Sequence, residues 1–297
     1  MYHDLTAQWK ELLRQGLRDD GWPWDWTTLG TMGRADASLR ARIVAKSPGI
    51  WAGEGLALAA ERVSQELELP LKIRSRIKDG ARLKPGDVVC EWEGAARSLL
   101  ALERPFLNLA SYVSGVATAT RELVDEVARA WGGNPGQPPR VTPTRKTLPG
   151  YRDVAVHGVN CGGGIPHRVS LSGGVLIKEN HVAAAGGIAS AVQGARAVAP
   201  HGLKIEIEVR GLRELQEAVE AGAEVIMLDN FTPPQVSEAL GKLAGWARGP
   251  LPLVEISGGI SRDTIGSFAI PGVNIISSGS LTHSVRALDL SLLVEGS

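Results

Sequence analysis

Leu5, Trp9, Leu12, Leu13 and Leu17 recur at helical spacing, so the chain opens on an amphipathic helix. Trp22, Trp24 and Trp26 follow around Pro23, and this cluster is expected to form a loop anchored by aromatic burial. From Arg40 to Glu93 the pattern changes to short β-like runs at Ala41–Ala45, Leu71–Ile77 and Asp87–Glu91. Ser47-Pro48-Gly49, Asp79-Gly80 and Pro85-Gly86 break these runs and are turn signals. The segment predicts a small, half-open β-domain with helices against it. Apolar periodicity from Ala95 to Trp131 predicts one or two helices, and GGNPGQPP, residues 132–139, ends them in a surface loop.

Beyond that loop, strands and helices alternate. Val141–Thr144 and Gly174–Ile177 predict strands. Val182–Ala199 predicts a soluble helix, because Gln193, Arg196 and several glycines interrupt its small apolar residues. Further strands are predicted at Lys204–Val209, Glu224–Asp229, Leu253–Ser257 and Val273–Ser277, with helices at Leu212–Ala221, Pro233–Ala244 and Arg262–Phe268 between them. Such short units imply right-handed crossovers and a parallel sheet. At least six strands is near a βα-barrel without establishing eight-fold closure. The fold class is α/β: an N-terminal α+β domain over residues 1–115, completed by the tail 284–297, and a C-terminal βα-barrel catalytic domain over residues 116–283.

Composition narrows the functions. The 297 residues suit two cores, and 43% hydrophobic with 22% charged residues suits a globular chain. Lys plus Arg and Asp plus Glu are 32 each, so no global field favours nucleic acid or anionic lipid. Any anion site must be a local cluster. Cys90 and Cys161 form no CxxC pattern, which suits a reducing compartment and argues against a disulfide scaffold or structural zinc. Met1 to Asp20 is charged throughout and lacks a signal-peptide apolar core. A cytoplasmic enzyme is expected.

In a parallel barrel the active site lies at the C-terminal strand ends. Thr144-Arg145-Lys146, Lys178-Glu179-Asn180-His181, Glu208, Asp229-Asn230, Ser257-Gly258-Gly259 and Ser278-Gly279-Ser280 stand there. The glycine-rich turns on the last two strands let backbone N–H groups approach phosphate oxygens. A basic set includes Arg140, Arg145, Lys146, Arg152, Arg168 and Lys178, together with His157, His167 and His181, three of the six histidines. Arg140 and Arg152 read as solvated face. Arg145, Lys146, His167, Arg168 and Lys178 sit beside glycine turns or at strand ends, and so many cations in a neutral chain imply a multiply charged anion. Glu208 and Asp229 end adjacent strands and can converge on one point, to hold Mg²⁺ beside phosphates or to stabilise developing positive charge. Pairing with nearby lysines is the weaker reading. GxxxxGK[ST], HExxH, GxSxG and GxGxxG are all absent, and Cys161 reads as a buried thiol rather than a nucleophile.

Seven segments now run in order: TRKTLPG (Thr144–Gly150), GGGIPHR (Gly162–Arg168), VLIKENH (Val175–His181), IEIEV (Ile205–Val209), IMLDN (Ile226–Asn230), EISGGI (Glu255–Ile260) and SSGSLTHS (Ser277–Ser284). Together they resemble the quinolinate phosphoribosyltransferases. The resemblance is close through Val141–Ala287 and looser before it, where AKSPG (Ala45–Gly49), Glu103-Arg104 and Leu107-Asn108 carry it. It implies a type II phosphoribosyltransferase barrel, and transfer of phosphoribose from phosphoribosyl pyrophosphate to quinolinate, giving nicotinate mononucleotide, pyrophosphate and CO₂. By the same resemblance Arg145, His167, Arg168 and Lys178 grip quinolinate, and Lys146 lies between the substrates. Glu208 and Asp229 face the ribose and its Mg²⁺, while Ser257, Gly258, Gly259 and Gly279 cradle phosphate. Lys146, Lys178, Glu208 and Asp229 are the implied catalytic residues. Arg104 reaches into a neighbouring subunit's site, in a homodimer with shared sites or a higher oligomer. No nucleic-acid or membrane partner is implied.

The sequence departs from the family pattern around the clamp. Leu148 stands where Thr is usual, Ala155-Val156 where a Glu-Lys pair is common, and Pro166 where Asn or Ser precedes His-Arg. These changes keep open a paralogous enzyme acting on nicotinate or another acid, as in the molybdenum-operon relatives. A barrel that only binds a phosphorylated metabolite is opposed by Glu208 and Asp229, since two acids add nothing to a binder of polyanions.

Overall fold

The computed structural model describes residues 5–32 and 37–295. The chain divides into two compact units, one of residues 1–121, 148–163 and 285–297, the other of residues 122–147 and 164–284.

Helix α1 (Thr6–Asp19) buries Trp9, Leu12, Leu13 and Leu17, the stripe that the spacing predicts. Helix α2 (Trp26–Met32) starts at Asp25, whose carboxylate accepts the backbone N–H groups of Thr27 and Thr28. Here one expectation is corrected. Trp22 packs partly against the core, but Trp24 and Trp26 are 66% and 74% exposed. Their rings stack at 5.7 Å and cover one another instead of a core. Strands β1 (Ser38–Ala45) and β2 (Gly49–Ile50), helix α3 (Glu54–Glu66), and strands β3 (Leu71–Ser75), β4 (Arg82–Leu83) and β5 (Val88–Ala95) follow. The long periodic stretch is one helix, α4 (Ala96–Trp131), with Pro105 inside it. An internal proline costs a helix about 3 kcal/mol. A Cβ on Gly16 would lie 2.9 Å from the Pro105 ring, so α1 leaves room for that ring by carrying glycine there.

Strand β6 (Arg140–Pro143) opens the second unit, and α5 (Arg152–Gly162) returns to the first. Helix α5 was not among the predicted elements. Gly158 and Gly162 lie one turn apart on it, and added Cβ atoms would meet the carbonyls of Val113 and Ala117 in α4 at 2.8 and 2.5 Å. The two helices therefore touch backbone to backbone. The second unit continues with β7 (Val175–Ile177), α6 (Glu179–Ala185), α7 (Ile188–Val198), β8 (Ile205–Val209), α8 (Leu212–Glu220), β9 (Val225–Asp229), α9 (Pro233–Trp246), β10 (Leu253–Ser257), α10 (Arg262–Ile265), β11 (Ile275–Ser278) and α11 (Ser280–His283). The single helix expected over Val182–Ala199 is two, because Gly186 and Gly187 take φ of +79° and +143°. Strand β12 (Leu290–Val294) ends the described chain.

In the first unit, β12, β1, β5 and β3 form an antiparallel sheet in that order, with β12 pairing to β1 from Ala41↔Val294 to Ala45↔Leu290. A boundary between residues 115 and 116 cuts α4, and residues 148–163, read from sequence as barrel, belong to the first unit. The second unit holds six parallel strands in the order β6-β11-β10-β9-β8-β7. Among the described residues no strand pairing joins β6 to β7, so the barrel is open there. All C-terminal strand ends point the same way, and the candidate residues follow them.

Candidate active site

A cavity of about 770 Å³ opens at those strand ends. Its walls include Arg145 and Lys146 after β6, Lys178 after β7, Glu208 on β8, Asp229 and Asn230 at β9, Ser257, Gly258 and Gly259 at β10, and Gly279 after β11. His167 and Arg168 reach it from the segment between α5 and β7. The barrel residues expected to hold substrate are thus gathered in one place, whereas Arg140 and His181 of the basic set do not line it. Arg104 is not: it is exposed on α4 in the first unit and does not line the cavity. Arg152 and His157 also leave the basic set, because α5 carries them into the first unit. There His157 Nε2 lies 3.0 Å from Asp79 Oδ2 and 3.5 Å from Cys161 Sγ. Burial, with Asp79 nearby, pushes the Cys161 thiol up to about 12, so it is a protonated thiol and no nucleophile.

The cations have different settings. Arg145 Nε is buried with no hydrogen-bond partner, a donor left available to a ligand. Arg168 donates from Nη1 to the carbonyl of Gly174 at 3.2 Å. Its pKa is lowered by partial burial and by the like charge of Arg145, which sets the two guanidinium groups as neighbours. Lys146 is exposed, and its carbonyl accepts the hydroxyl of Thr282 in α11 at 2.9 Å, tying the first strand's loop to the last.

On the acidic side, Glu208 is ion-paired with Lys178. The expectation that lysine pairing would be the weaker reading is corrected for this residue, since adjacent β7 and β8 bring both side chains to one strand end. Asp229 accepts from Asn230 Nδ2 at 2.8 Å. Burial first, and then the nearby charge of Glu208, raise its pKa, so the two acids do face a common point. Gly258 has φ of +96°, and a Cβ there would meet Asn230 Oδ1 at 2.3 Å. Only glycine fits this turn, which brings main chain to the cavity wall. Ser278 Oγ bonds the Ile260 carbonyl at 2.8 Å and so fixes the second glycine turn to the neighbouring strand's loop.

Sequence reasoning passed over Glu206, Glu255 and His283. Glu255 and His283 line the cavity, and Glu206 stands behind His167. The two glutamates are 7% and 1% exposed, and His167 Nε2 lies 3.3 Å from an oxygen of each. Three of their carboxylate oxygens have no hydrogen-bond partner. Burial lowers the His167 ring, but the two carboxylates outweigh it and raise it to about 10, while burial raises Glu206. The backbone N–H of Arg168 donates to His167 Nδ1 at 2.7 Å, an acceptor role closed to an imidazolium. That bond puts a ring proton at Nε2, between the two carboxylates.

Comparison with known proteins places this cavity in context. The C-terminal-domain model of quinolinate phosphoribosyl transferase matches residues 116–293, and the N-terminal-domain model matches residues 25–114. A probable nicotinate-nucleotide pyrophosphorylase (carboxylating) of Bacillus subtilis is 40% identical over 295 residues, covering 96% of this chain and 93% of its own length. The Homo sapiens nicotinate-nucleotide pyrophosphorylase (carboxylating) is 39% identical, covering 85% of this chain and 81% of its own. The solved structure of nicotinate-nucleotide pyrophosphorylase from Francisella tularensis superposes with a TM-score of 0.86 at 32% identity, covering 98% of this chain and 97% of that one. Among the described residues no helix is long and apolar enough to cross a membrane.

Proposed function

The chain belongs to the quinolinate phosphoribosyltransferase family, and from that membership we infer its reaction and the roles of its residues. It is a pentosyltransferase of NAD biosynthesis. It moves phosphoribose from phosphoribosyl pyrophosphate to quinolinate, with loss of CO₂ and pyrophosphate, to give nicotinate mononucleotide. The observation that carries this reading is the meeting of Arg145, Arg168 and Lys178 with Glu208, Asp229 and two glycine-rich turns in one cavity. A dicarboxylate answers the cations and phosphates answer the turns.

Arg145 and Arg168 hold the quinolinate carboxylates with their planar forks, and Lys178 adds a point charge. Clamping both carboxylates aims the ring nitrogen at ribose C1, which is positioning catalysis. Ser257, Gly258, Gly259 and Gly279 receive the 5′-phosphate. Pyrophosphate leaves C1 with oxocarbenium-like character, and the negative charges of Glu208 and Asp229 stabilise it. Lys146 and Lys178 stabilise the leaving group and the incoming acid. The C2–carboxylate bond then breaks, CO₂ leaves, the electron pair stays on C2 beside the quaternary nitrogen, and a proton from solvent is taken up at C2 to complete nicotinate mononucleotide.

Magnesium is the proposed cofactor. Glu208 and Asp229 offer hard carboxylate oxygens at adjacent strand ends, the donor type this ion takes alongside phosphate oxygens and water. When bound, it supplies positive charge to the departing pyrophosphate. The proposed assembly is a homodimer in which Arg104 completes the partner's site, in keeping with its exposure on α4. Free Cys90 and Cys161 support a reducing, cytoplasmic setting.

Nicotinate is the competing acceptor. None of Leu148, Ala155, Val156 and Pro166, the residues that depart from the family pattern, lines the cavity. That favours quinolinate. A panel of quinolinate, nicotinate and nicotinamide with phosphoribosyl pyrophosphate and Mg²⁺ tests the reading. Release of CO₂ and nicotinate mononucleotide from quinolinate alone is expected. Equal turnover of nicotinate, or no turnover of quinolinate, would sink it.

A further inference from the structure

Between α5 and β7 the chain runs through residues 163–174 with no regular element, yet it carries Arg168 to the cavity. A guanidinium that reads a planar dicarboxylate needs a fixed backbone, so something must hold this segment. At its start the N–H of Ile165 donates to the Val141 carbonyl at 2.9 Å, and the hydroxyl of Thr142 donates to the Ile165 carbonyl at 2.9 Å. At its far side Arg168 Nη1 holds the Gly174 carbonyl. The centre is held by His167, which two glutamates flank.

We propose that Glu206 and Glu255 are positioning residues for the quinolinate clamp: from β8 and β10 their carboxylates flank Nε2 of His167, whose Nδ1 accepts the backbone N–H of Arg168. This rests on the reading that the cavity binds quinolinate. Four observations support it. The ring nitrogen lies 3.3 Å from a carboxylate oxygen of each glutamate. Both glutamates sit on rigid, buried strands. The amide of Arg168 reaches Nδ1 at 2.7 Å. Nδ1 is thus engaged by the Arg168 backbone, and Nε2 faces the two buried carboxylates rather than open space. His167 passes the position of two strands to the Arg168 backbone, as an outer group orients an inner ligand in other sites.

The same three groups lie close enough to share a cation. A cation would need a bare Nε2, however, and the acceptor role of Nδ1 puts the ring's proton there.

Two measurements on the full chain test the proposal. In substrate-free protein labelled with ¹⁵N-histidine, at neutral pH, His167 should show a bare Nδ1 and a protonated Nε2, assigned by loss of the signals in His167→Gln. Protonation of both nitrogens, or a bare Nε2, would overturn the proposal, and this result does not depend on what the enzyme turns over. In kinetics, Glu206→Gln and Glu255→Gln should each raise the KM for quinolinate about tenfold, the scale of one hydrogen bond to a charged group. The KM for phosphoribosyl pyrophosphate should stay as in the wild type. A rise in both constants together would reveal general loss of structure, and an unchanged quinolinate KM would show no positioning, so either result refutes the role. If the variants do not fold, the nitrogen spectrum of the wild type decides. If wild-type protein turns over no quinolinate, the functional reading fails while the nitrogen spectrum still reports on the trio.

Discussion

Lys178 and Glu208 form an ion pair across the ends of neighbouring strands β7 and β8, inside the cavity that also holds Asp229. The lysine is exposed and the glutamate is mostly buried. The pair therefore joins the proposed clamp for the acid to the acids proposed to face the ribose. A change on one side is felt on the other.

That coupling shapes the first prediction. Glu208→Gln and Asp229→Asn keep shape and remove charge. If these carboxylates stabilise charge that develops only in the transition state, kcat falls on the order of 100-fold, while quinolinate affinity changes little. Glu208→Gln also frees Lys178, so it should strengthen quinolinate binding slightly, whereas Asp229→Asn should not. Steady-state kinetics with calorimetric binding checks this. Full kcat in either variant would show that its charge is not catalytic.

The strand-end residues were legible in the sequence because strand and position coincide: KIEIEV carries Glu208 as its last residue but one, and EVIMLD ends on Asp229, with no long-range knowledge needed. Glu206 was not read, although alternation puts it on the same face of β8 as Glu208. A buried glutamate makes sense only beside its partner, and His167 lies far off in an irregular segment that no periodicity describes. His157 misled for a related reason. Its nearness in sequence to Arg145 and Lys146 suggested one basic set, but the Gly158 and Gly162 contacts fasten α5 to α4 in the other unit. Glycines that permit close helix packing look, in sequence, like any others.

Gly258 supplies the second prediction. Its φ of +96° and the 2.3 Å approach of Asn230 Oδ1 leave no room for a side chain. Gly258→Ala should cost on the order of 1–3 kcal/mol of stability, from the strained backbone and the displaced Asn230. It should also raise the KM for phosphoribosyl pyrophosphate more than that for quinolinate, because the turn is proposed to receive the phosphate. Thermal melts and paired KM measurements decide. An unchanged phosphoribosyl pyrophosphate KM would remove this turn from the phosphate site.

The third prediction concerns alkaline pH. Burial pushes Cys90 and Cys161 up to about 12, against about 8.5 for a free cysteine. A thiol raised in the folded state binds its proton more tightly there than when unfolded. Its stabilising contribution is complete below about pH 8.5 and is lost as pH rises toward 12. Melting temperature should therefore decline over that window, less steeply in Cys161→Ser. At pH 8 both thiols of the native protein should react slowly with a disulfide reagent and quickly once denaturant is added. Rapid native reaction of Cys161 would mean that the thiol beside His157 is ionised after all.

Arg104 carries the last prediction. It is exposed on α4, in no ion pair among the described residues, and it lies outside the cavity that holds the other candidate residues. In a two-fold dimer, whatever Arg104 does for the partner's site the partner's copy does in return. Arg104→Ala and Lys178→Ala should each be nearly inactive as homodimers, the first lacking the contribution made to the partner and the second lacking a cation of its own cavity. Unfolded together and refolded, they should form mixed dimers in which one site carries both lesions and the other neither. With random exchange half the dimers are mixed, and each has one intact site of two, so activity should return to at most about one quarter of wild type per subunit. Native mass spectrometry verifies the mixed dimers, and the quinolinate assay reads the recovery. A mixture that stays as inactive as its parents, with mixed dimers present, would mean that Arg104 serves its own chain's site or none.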